Sequence, residues 1–354
     1  NTEEVETGTT TTTTTTTTGN TTTATGTTTT ETDKWDGWHV VDSDRQGFDL
    51  YGYVLQTWQI GPEAENYFQD NLGNDRRFYL LRPEETPLEE INLLLNLHGG
   101  AVDDDSPEDY YTELDPYLTN CGLANEVSLG FTAFRHMQSH EVMARGWAMV
   151  VPVNLWCDFW IGRGKEDPVD PEHHKGYTHV SETLDFLTSG ATGLDVANLF
   201  AWGSSSGGAA ALPIAHWYGE FDGVISDSPP CKMDEYFFDD QSSLMHIFGG
   251  PPFFDGKKTE VYQNYLDVSC DWLVESGGYD VPTYVAYNVR DLLTRSYSPE
   301  SFAAAADAVW APAGIRYGYH DWDHDYPGTT FHTQTRGSET LSRYTTSAMF
   351  SFLE

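Results

Sequence analysis

A series of short apolar segments, separated by stretches of helical character, runs through most of the chain. These segments lack the strict apolar–polar alternation of a half-solvated strand, so we expect strands buried on both faces, as in a parallel sheet. The helical stretches between them suit right-handed crossovers. The sequence therefore predicts an α/β fold with a doubly wound, mostly parallel sheet. The predicted strands are residues 78–81, 91–97, 147–153, 198–202, 223–226, 283–288 and 315–319.

The N-terminal tract has a different composition. Residues 1–30 include 20 threonines and no apolar periodicity, so burial cannot offset the entropy lost on ordering. We predict a disordered stalk over residues 1–34, with a composition typical of O-glycosylated spacers and a glycosylation sequon at Asn20. The globular remainder, residues 35–354, is of a length suited to a single domain. Because the chain starts at Asn1 without Met, we expect a processed export signal and a secreted or surface-anchored protein.

The charge of the chain restricts its partners. The formal net charge is −37, from 55 acidic and 18 basic residues. Such an acidic surface repels nucleic acid and anionic lipid, whose binding depends on Lys and Arg. No segment approaches 18 uninterrupted apolar residues, so no membrane span is predicted.

The four cysteines, Cys121, Cys157, Cys231 and Cys270, fit neither zinc-ligand spacing nor a CxxC redox pair. In an exported chain their even number predicts two disulfides, with three possible connectivities. The alternative is four buried thiols in a cytosolic enzyme.

Two connections between predicted strands are too long for simple loops. They cover residues 101–139 and 227–279, and the second is rich in aromatic residues. We expect lid-like insertions that build substrate walls. The alternative for the second is a helical excursion with a small core of its own.

The strongest local motif is the segment 203–208, Gly-Ser-Ser-Ser-Gly-Gly, between a predicted strand and a predicted helix. A G-x-S-x-G sequence in this setting is typical of a sharp turn that exposes a nucleophilic serine. Gly203 and Gly207 would relieve crowding on either side of Ser205. Centring the motif on Ser206 instead would place Ser204 and Gly208 at the flanks, a weaker steric fit. Ser205 is thus the predicted nucleophile.

A second glycine motif, His98-Gly99-Gly100, ends the strand at 91–97. A turn of this kind supplies a backbone N–H to an oxyanion hole. We predict donors from Gly100 or Ala101 and from Ser206, with His98 as part of the turn.

A serine nucleophile needs a base that a third group orients. With the acid after a late strand and the base after the last one, Asp291 is the predicted acid and Asp227 the alternative. The predicted base is His324, which heads a turn containing Pro327; His332 and His320 are the alternatives. The segment 320–325, His-Asp-Trp-Asp-His-Asp, also suits a metal ion, but the serine motif accounts for a histidine here without one.

Together these motifs resemble the secreted polyhydroxybutyrate depolymerase and feruloyl esterase group of α/β-hydrolases. The resemblance rests on 97–100, 203–208, Asp291 and 324–328, where Tyr326 replaces the Trp of that group's H-x-W-P-G. It covers roughly residues 78–354. The long insertions and the three consecutive serines depart from the group and leave the substrate open.

The resemblance implies an α/β-hydrolase fold and a cofactor-free serine esterase that acts on an extracellular polymer ester, such as a polyester or a feruloyl or acetyl ester of a polysaccharide, or on its fragments. Trp156, Phe159 and Trp160 follow the strand at 147–153 and are predicted to line the substrate cleft, with a role in the core as the alternative. A serine peptidase, or a non-catalytic carbohydrate- or surface-binding protein, is the competing interpretation of the same fold. The oligomeric state is not predicted.

Overall fold

The structure is a computed structural model. It describes residues 14–17, 20–23, 38–44, 51–60, 77–85, 88–97, 137–152, 160–161, 176–238, 241–288, 300–322 and 339–354. Within these residues the domain is built around one nine-stranded sheet with helices on both faces.

The sheet confirms the predicted α/β class. Its strands, in chain order, are β3 (Trp38–Asp44), β4 (Tyr53–Ile60), β5 (Arg77–Pro83), β6 (Leu88–Leu97), β7 (Ala148–Pro152), β8 (Leu194–Ser204), β9 (Gly223–Asp227), β12 (Thr283–Asn288) and β13 (Tyr317–Trp322). Their order across the sheet is β13-β12-β9-β8-β6-β7-β5-β4-β3. The six strands from β13 to β7 are mutually parallel, and β5, β4 and β3 continue the sheet as antiparallel neighbours.

The parallel strands determine where a site can form. Their carboxyl ends are Leu97, Pro152, Ser204, Asp227, Asn288 and Trp322, and parallel strands bring these ends to one edge of the sheet. Each residue proposed from the sequence as catalytic, oxyanion-binding or substrate-binding follows one of these ends, except Asp227, which occupies one, and the alternative base His320, which lies within β13. The crevice outside the carboxyl ends is the usual ligand position of open α/β sheets.

Helices cover both faces of the sheet. On one face Leu93 and Leu95 pack with α2 (Gly176–Thr188), α3 (Ser206–Tyr218) and α8 (Glu300–Ala313). On the other, Leu94 packs with α1 (Met137–Arg145) and α9 (Glu339–Leu353). Arg145 joins these last two helices, because its guanidinium lies 5.2 Å from the Phe350 ring centroid and 3.0 Å from the Glu354 carboxylate.

The predicted second insertion packs onto the same core. It contains α4 (Met233–Tyr236), α5 (Gln241–Phe248), the hairpin β10 (Phe253–Phe254) and β11 (Lys257–Lys258), α6 (Tyr262–Leu266) and α7 (Cys270–Glu275). Tyr265 is fully buried at its centre, 4.2 Å from Phe248 between ring centroids. Phe238 and Phe254 are instead 59% and 70% exposed. The aromatic residues of this insertion therefore divide between internal packing and free surface.

Part of the threonine-rich tract forms a separate two-stranded antiparallel sheet, β1 (Thr14–Thr17) with β2 (Asn20–Thr23). β-branched threonine favours extended structure, which the expectation of uniform disorder did not consider. The other residues of the predicted stalk lie outside the described residues, as does most of the first insertion, whose last three residues begin α1. No helix in the described part of the chain is long and apolar enough to cross a membrane.

Candidate active site

Ser205 occupies a sharp turn between a strand and a helix. β8 ends at Ser204, α3 begins at Ser206, and Ser205 between them has φ 57° and ψ −118°. A positive φ is uncommon for a residue with a side chain and costs of order 1–3 kcal/mol. Of the three consecutive serines, Ser205 is the one that carries the strain, as expected for the tip of a nucleophile elbow.

The flanking glycines make this turn possible. A Cβ atom on Gly203 would lie 2.0 Å from the carbonyl oxygen of Gly207, and a Cβ on Gly208 would lie 2.8 Å from that of Asp227. Neither contact is physically allowed, so α3 approaches β8 at Gly203 and β9 at Gly208 as closely as it does only because these side chains are absent. The predicted role of Gly203 in relieving crowding beside Ser205 agrees with this geometry.

Two hydrogen bonds to main-chain carbonyl oxygens fix the elbow to the neighbouring strand. The amide of Ser205 donates to the carbonyl oxygen of Asp227 at 2.9 Å, and the Ser226 hydroxyl donates to the carbonyl oxygen of Gly208 at 2.7 Å. Both acceptors and donors are buried or partly buried. The sequence indicated no role for Ser226, because a strand serine gives no signal of the helix it will bond.

One predicted oxyanion-hole donor, Ser206, lies at the helix end of this turn. Ser206 is 5% exposed and opens α3, and the first N–H groups of a helix have no acceptor within it. These amides and the helix dipole favour negative charge at this end. Gly100 and Ala101, the other predicted donors, lie outside the described residues, three and four positions after the end of β6.

The two candidate acids differ in what the structure describes. Asp291 lies outside the described residues, three positions after the end of β12. Asp227 ends β9 beside the elbow, pairs in register with Ser204, and is fully buried. Its Oδ1 accepts a hydrogen bond from the Ser228 hydroxyl at 3.1 Å. Ser228 itself has a positive φ of 54° and donates its amide to Ala286 at 2.7 Å.

Of the candidate bases, only His320 is described. The expected loop after residue 319 is still strand, because β13 continues to Trp322 and His320 pairs with Ala286 of β12. β13 is an edge strand of the sheet, and edge strands accommodate charged and polar residues. His324 and His332 lie outside the described residues, His324 two positions beyond the end of β13.

Side-chain hydrogen bonds connect β13, β12 and α8. The Tyr319 hydroxyl donates to the Tyr287 hydroxyl at 2.7 Å, and Tyr287 donates to the Glu300 carboxylate at 3.2 Å. Glu300 is the first residue of α8. These hydrogen bonds join the strands that precede Asp291 and His324, and no local sequence pattern indicates them.

The structure corrects the expectation for Trp160. Its side chain is 1% exposed and belongs to the hydrophobic core, with φ 66°. Trp160 therefore packs inside the domain and does not line an open cleft. Sequence alone does not distinguish an aromatic residue that lines a substrate cleft from one that packs in the core. Trp156 and Phe159 lie outside the described residues.

The segment 320–325, which also suits a metal ion, is described only in part, because only its first three residues belong to β13. Within the described segments, no three His, Cys, Asp or Glu side chains are grouped so as to hold a metal ion.

Comparison by sequence identifies no relative: no family model and no curated protein matches the chain. Comparison by structure does. An S-formylglutathione hydrolase from Agrobacterium tumefaciens superposes with a TM-score of 0.57 at 16% identity, over 89% of this chain and 98% of that one.

An acetyl xylan esterase from Paenibacillus sp. R4 gives a TM-score of 0.52 at 14% identity, over 89% and 87% of the two chains. A putative dipeptidyl aminopeptidase IV from Bacteroides ovatus gives 0.52 at 10% identity, over 84% of this chain and 35% of that one. At these identities the similarity establishes the architecture alone. Together with the sheet order and the serine turn, it shows that this chain has the α/β-hydrolase fold.

Proposed function

We propose that this protein is a serine carboxylic-ester hydrolase whose nucleophile is Ser205. The observation that carries the proposal is the strained backbone of Ser205 at the tip of a turn closed by Gly203 and Gly207. Strain of this kind is retained where a site needs it. Here it presents one hydroxyl at the carboxyl edge of the sheet, above a helix N-terminus.

The reaction is acyl transfer through a covalent intermediate. The Ser205 hydroxyl oxygen attacks the ester carbonyl carbon while His324 takes its proton. The carbonyl oxygen becomes an anion held by the amide of Ser206 and that of Gly100 or Ala101. The proton then passes to the departing alcohol, and water releases the acid by the same route. Asp291 orients the imidazole, and no cofactor takes part.

The proposed substrate is an ester of an extracellular polymer or its fragments, with the stalk holding the enzyme outside or at the surface of the cell. Acetyl xylan esterase shares the fold, which supports including polysaccharide acetyl esters. The exposed rings of Phe238 and Phe254 belong to the insertion that begins at the strand end beside Ser205. Aromatic faces of this kind stack on sugars, phenolic acyl groups and polyester segments alike.

The three consecutive serines provide the sharpest test. A fluorophosphonate should label wild-type protein at Ser205, and Ser205→Ala should lose both labelling and about 10⁴-fold or more in kcat. Ser204→Ala and Ser206→Ala are matched controls that keep labelling, since a backbone amide of residue 206 remains in either case. Labelling of another residue, or full activity in Ser205→Ala, would reject the proposal.

The acid and base are tested in the same assay. Asp291→Asn should lower kcat/KM by orders of magnitude, whereas Asp227→Asn should lower it much less. His324→Ala should abolish turnover, whereas His332→Ala and His320→Ala should retain it. The reverse pattern would transfer the role to the alternative residue. Activity should rise with pH as the base loses its proton and should survive EDTA.

Substrate class follows from a panel of short acyl, feruloyl, acetylated xylan and polyhydroxybutyrate esters, with a dipeptide amide as the comparison. Faster cleavage of the amide would identify a peptidase. Binding to xylan without turnover, unchanged in Ser205→Ala, would identify a binding protein.

A further inference from the structure

The base of the second insertion contains two cysteines in contact. Cys231 lies shortly after β9, and Cys270 begins α7 near the far end of the insertion. Both are fully buried free thiols. The amide of Cys270 donates to the carbonyl oxygen of Cys231 at 2.9 Å. With standard bond lengths, one N–H···O bond of this length keeps the two Cα atoms within about 7 Å, the limit beyond which two cysteines cannot be bridged without backbone movement.

The two chain segments are joined on either side of this contact. The Met233 amide donates to the Ser269 hydroxyl at 3.1 Å, and that hydroxyl donates to the Tyr265 carbonyl oxygen at 2.8 Å. The thiols themselves interact: burial raises the pKa of Cys231 well above its ordinary value, and a hydrogen bond with the Cys270 side chain raises it further. The pair is therefore held together by the backbone and is not an incidental approach of two side chains.

We propose that Cys231 and Cys270 form a structural disulfide that closes the second insertion at its base. The alternative use of paired thiols, zinc binding, needs further ligands, and no such group is present in the part of the chain that the structure describes. The pairing assigns one of the three connectivities, and it leaves Cys121 and Cys157 for each other.

The bond forms by thiol–disulfide exchange with a small-molecule disulfide such as oxidised glutathione. The thiolate of one cysteine attacks that disulfide, expels one small thiol and forms a mixed disulfide. The second cysteine thiolate displaces the other small thiol, so two protein thiols are oxidised and one small disulfide is reduced. Because the folded pair is shielded and the thiolate is disfavoured there, exchange takes place before the insertion is fully packed.

The location gives the bond a structural consequence. Cys231 lies four residues after Asp227, whose carbonyl oxygen accepts a hydrogen bond from the Ser205 amide. The disulfide therefore fastens the insertion to the strand that supports the elbow. Closing a loop of this size removes conformational freedom from the unfolded chain. We expect the oxidised protein to unfold at a temperature about 5–10 °C above that of the reduced protein.

The test is peptide mapping of the full chain refolded with a glutathione redox couple, alkylated in denaturant and digested without reductant. A cross-linked peptide containing Cys231 and Cys270 supports the proposal. Alkylation of both cysteines in the oxidised protein, or a link from either to Cys121 or Cys157, overturns it.

A stability measurement provides a second readout independent of ester hydrolysis. Reduction should lower the unfolding temperature of the Cys121→Ala/Cys157→Ala variant, which retains Cys231 and Cys270. In the Cys231→Ala/Cys270→Ala variant, the part of the temperature shift that this pair causes should be absent. The absence of any redox shift in the Cys121→Ala/Cys157→Ala variant, whose only cysteines are Cys231 and Cys270, would overturn the assignment even if the esterase proposal holds. If the second variant does not fold, the peptide map of the wild-type chain still decides.

Discussion

The elbow and the second insertion both lie at the carboxyl edge of the sheet, yet they are held in different ways. At the elbow, main chain meets main chain, with no room for a Cβ between Gly203 and Gly207. In the insertion, side chains fill the interior, as where Tyr265 packs against Phe248. The contrast indicates that the position of Ser205 is fixed by backbone contacts that tolerate almost no change. The surface around it rests on side-chain packing, which tolerates more.

The largest expected difference separates two glycines. Gly203→Ala should lower stability by about 3 kcal/mol or more, because its Cβ would overlap the Gly207 carbonyl and force β8 from α3. Gly278→Ala, in the insertion, would meet the His216 ring at 3.5 Å and the Ser276 hydroxyl at 4.0 Å, both ordinary contacts, and should change stability by less than about 0.5 kcal/mol. Denaturant unfolding measures both. Similar stabilities would mean that the elbow is not the rigid region.

A smaller effect is expected inside the insertion. Tyr265→Phe removes hydrogen bonds to the carbonyl oxygens of Gly250 at 2.7 Å and Leu244 at 3.3 Å and should cost about 1–2 kcal/mol. Tyr262→Phe removes one bond to Asp234 from a half-buried hydroxyl and serves as the control, with a lower cost. Turnover of a small soluble ester should be unchanged in both variants. A loss of kcat in Tyr265→Phe would show that insertion and elbow are not independent.

The smallest expected effect depends on pH. Burial raises the pKa of Asp271 above its ordinary value, although hydrogen bonds from the Trp272 amide and the Ser301 side chain oppose the rise. The folded state therefore favours the protonated carboxyl, and the stability that this provides is lost as pH rises through the folded-state pKa. Asp271→Asn should unfold about 2 °C higher than wild type at neutral pH.

That difference in unfolding temperature should disappear in acid, below the ordinary pKa of an aspartate. There the Asp271 carboxyl is protonated in both the folded and the unfolded protein. Thermal unfolding as a function of pH measures it, and the exposed Asp267→Asn in the same insertion is the control. A constant difference at all pH values would rule out titration as its origin.

Much of the sheet could be predicted from sequence because its central strands are buried on both faces. The segment 283–288 coincides with β12, and 91–97 with most of β6. The antiparallel strands β3 and β4 were not predicted, since their mixed polar and apolar residues, such as 38% exposed Val40, give no continuous apolar run. β13 extended past its predicted end for a related reason, because an edge strand can include the polar residues His320 and Asp321.

The candidate site was predictable to the extent that it depends on local sterics. Small residues on both sides of Ser205 were enough to indicate the turn that the structure contains. The burial of Trp160 and the tyrosine chain between β12 and β13 depend on tertiary contacts between distant segments, which no local pattern records. The predicted acid Asp291 and base His324 remain predictions, because both lie outside the described residues.

The hydrogen bond from the Ser205 amide to the Asp227 carbonyl has a consequence for engineering. Its acceptor is a peptide oxygen, which every amino acid carries, so the serine keeps its anchor whichever side chain occupies position 227. A substitution at position 227 therefore leaves the acceptor of the Ser205 amide in place and replaces a buried carboxylate that accepts a hydrogen bond from the Ser228 hydroxyl. At position 227 the main-chain contact that holds the turn and the side-chain contact to Ser228 can thus be varied separately.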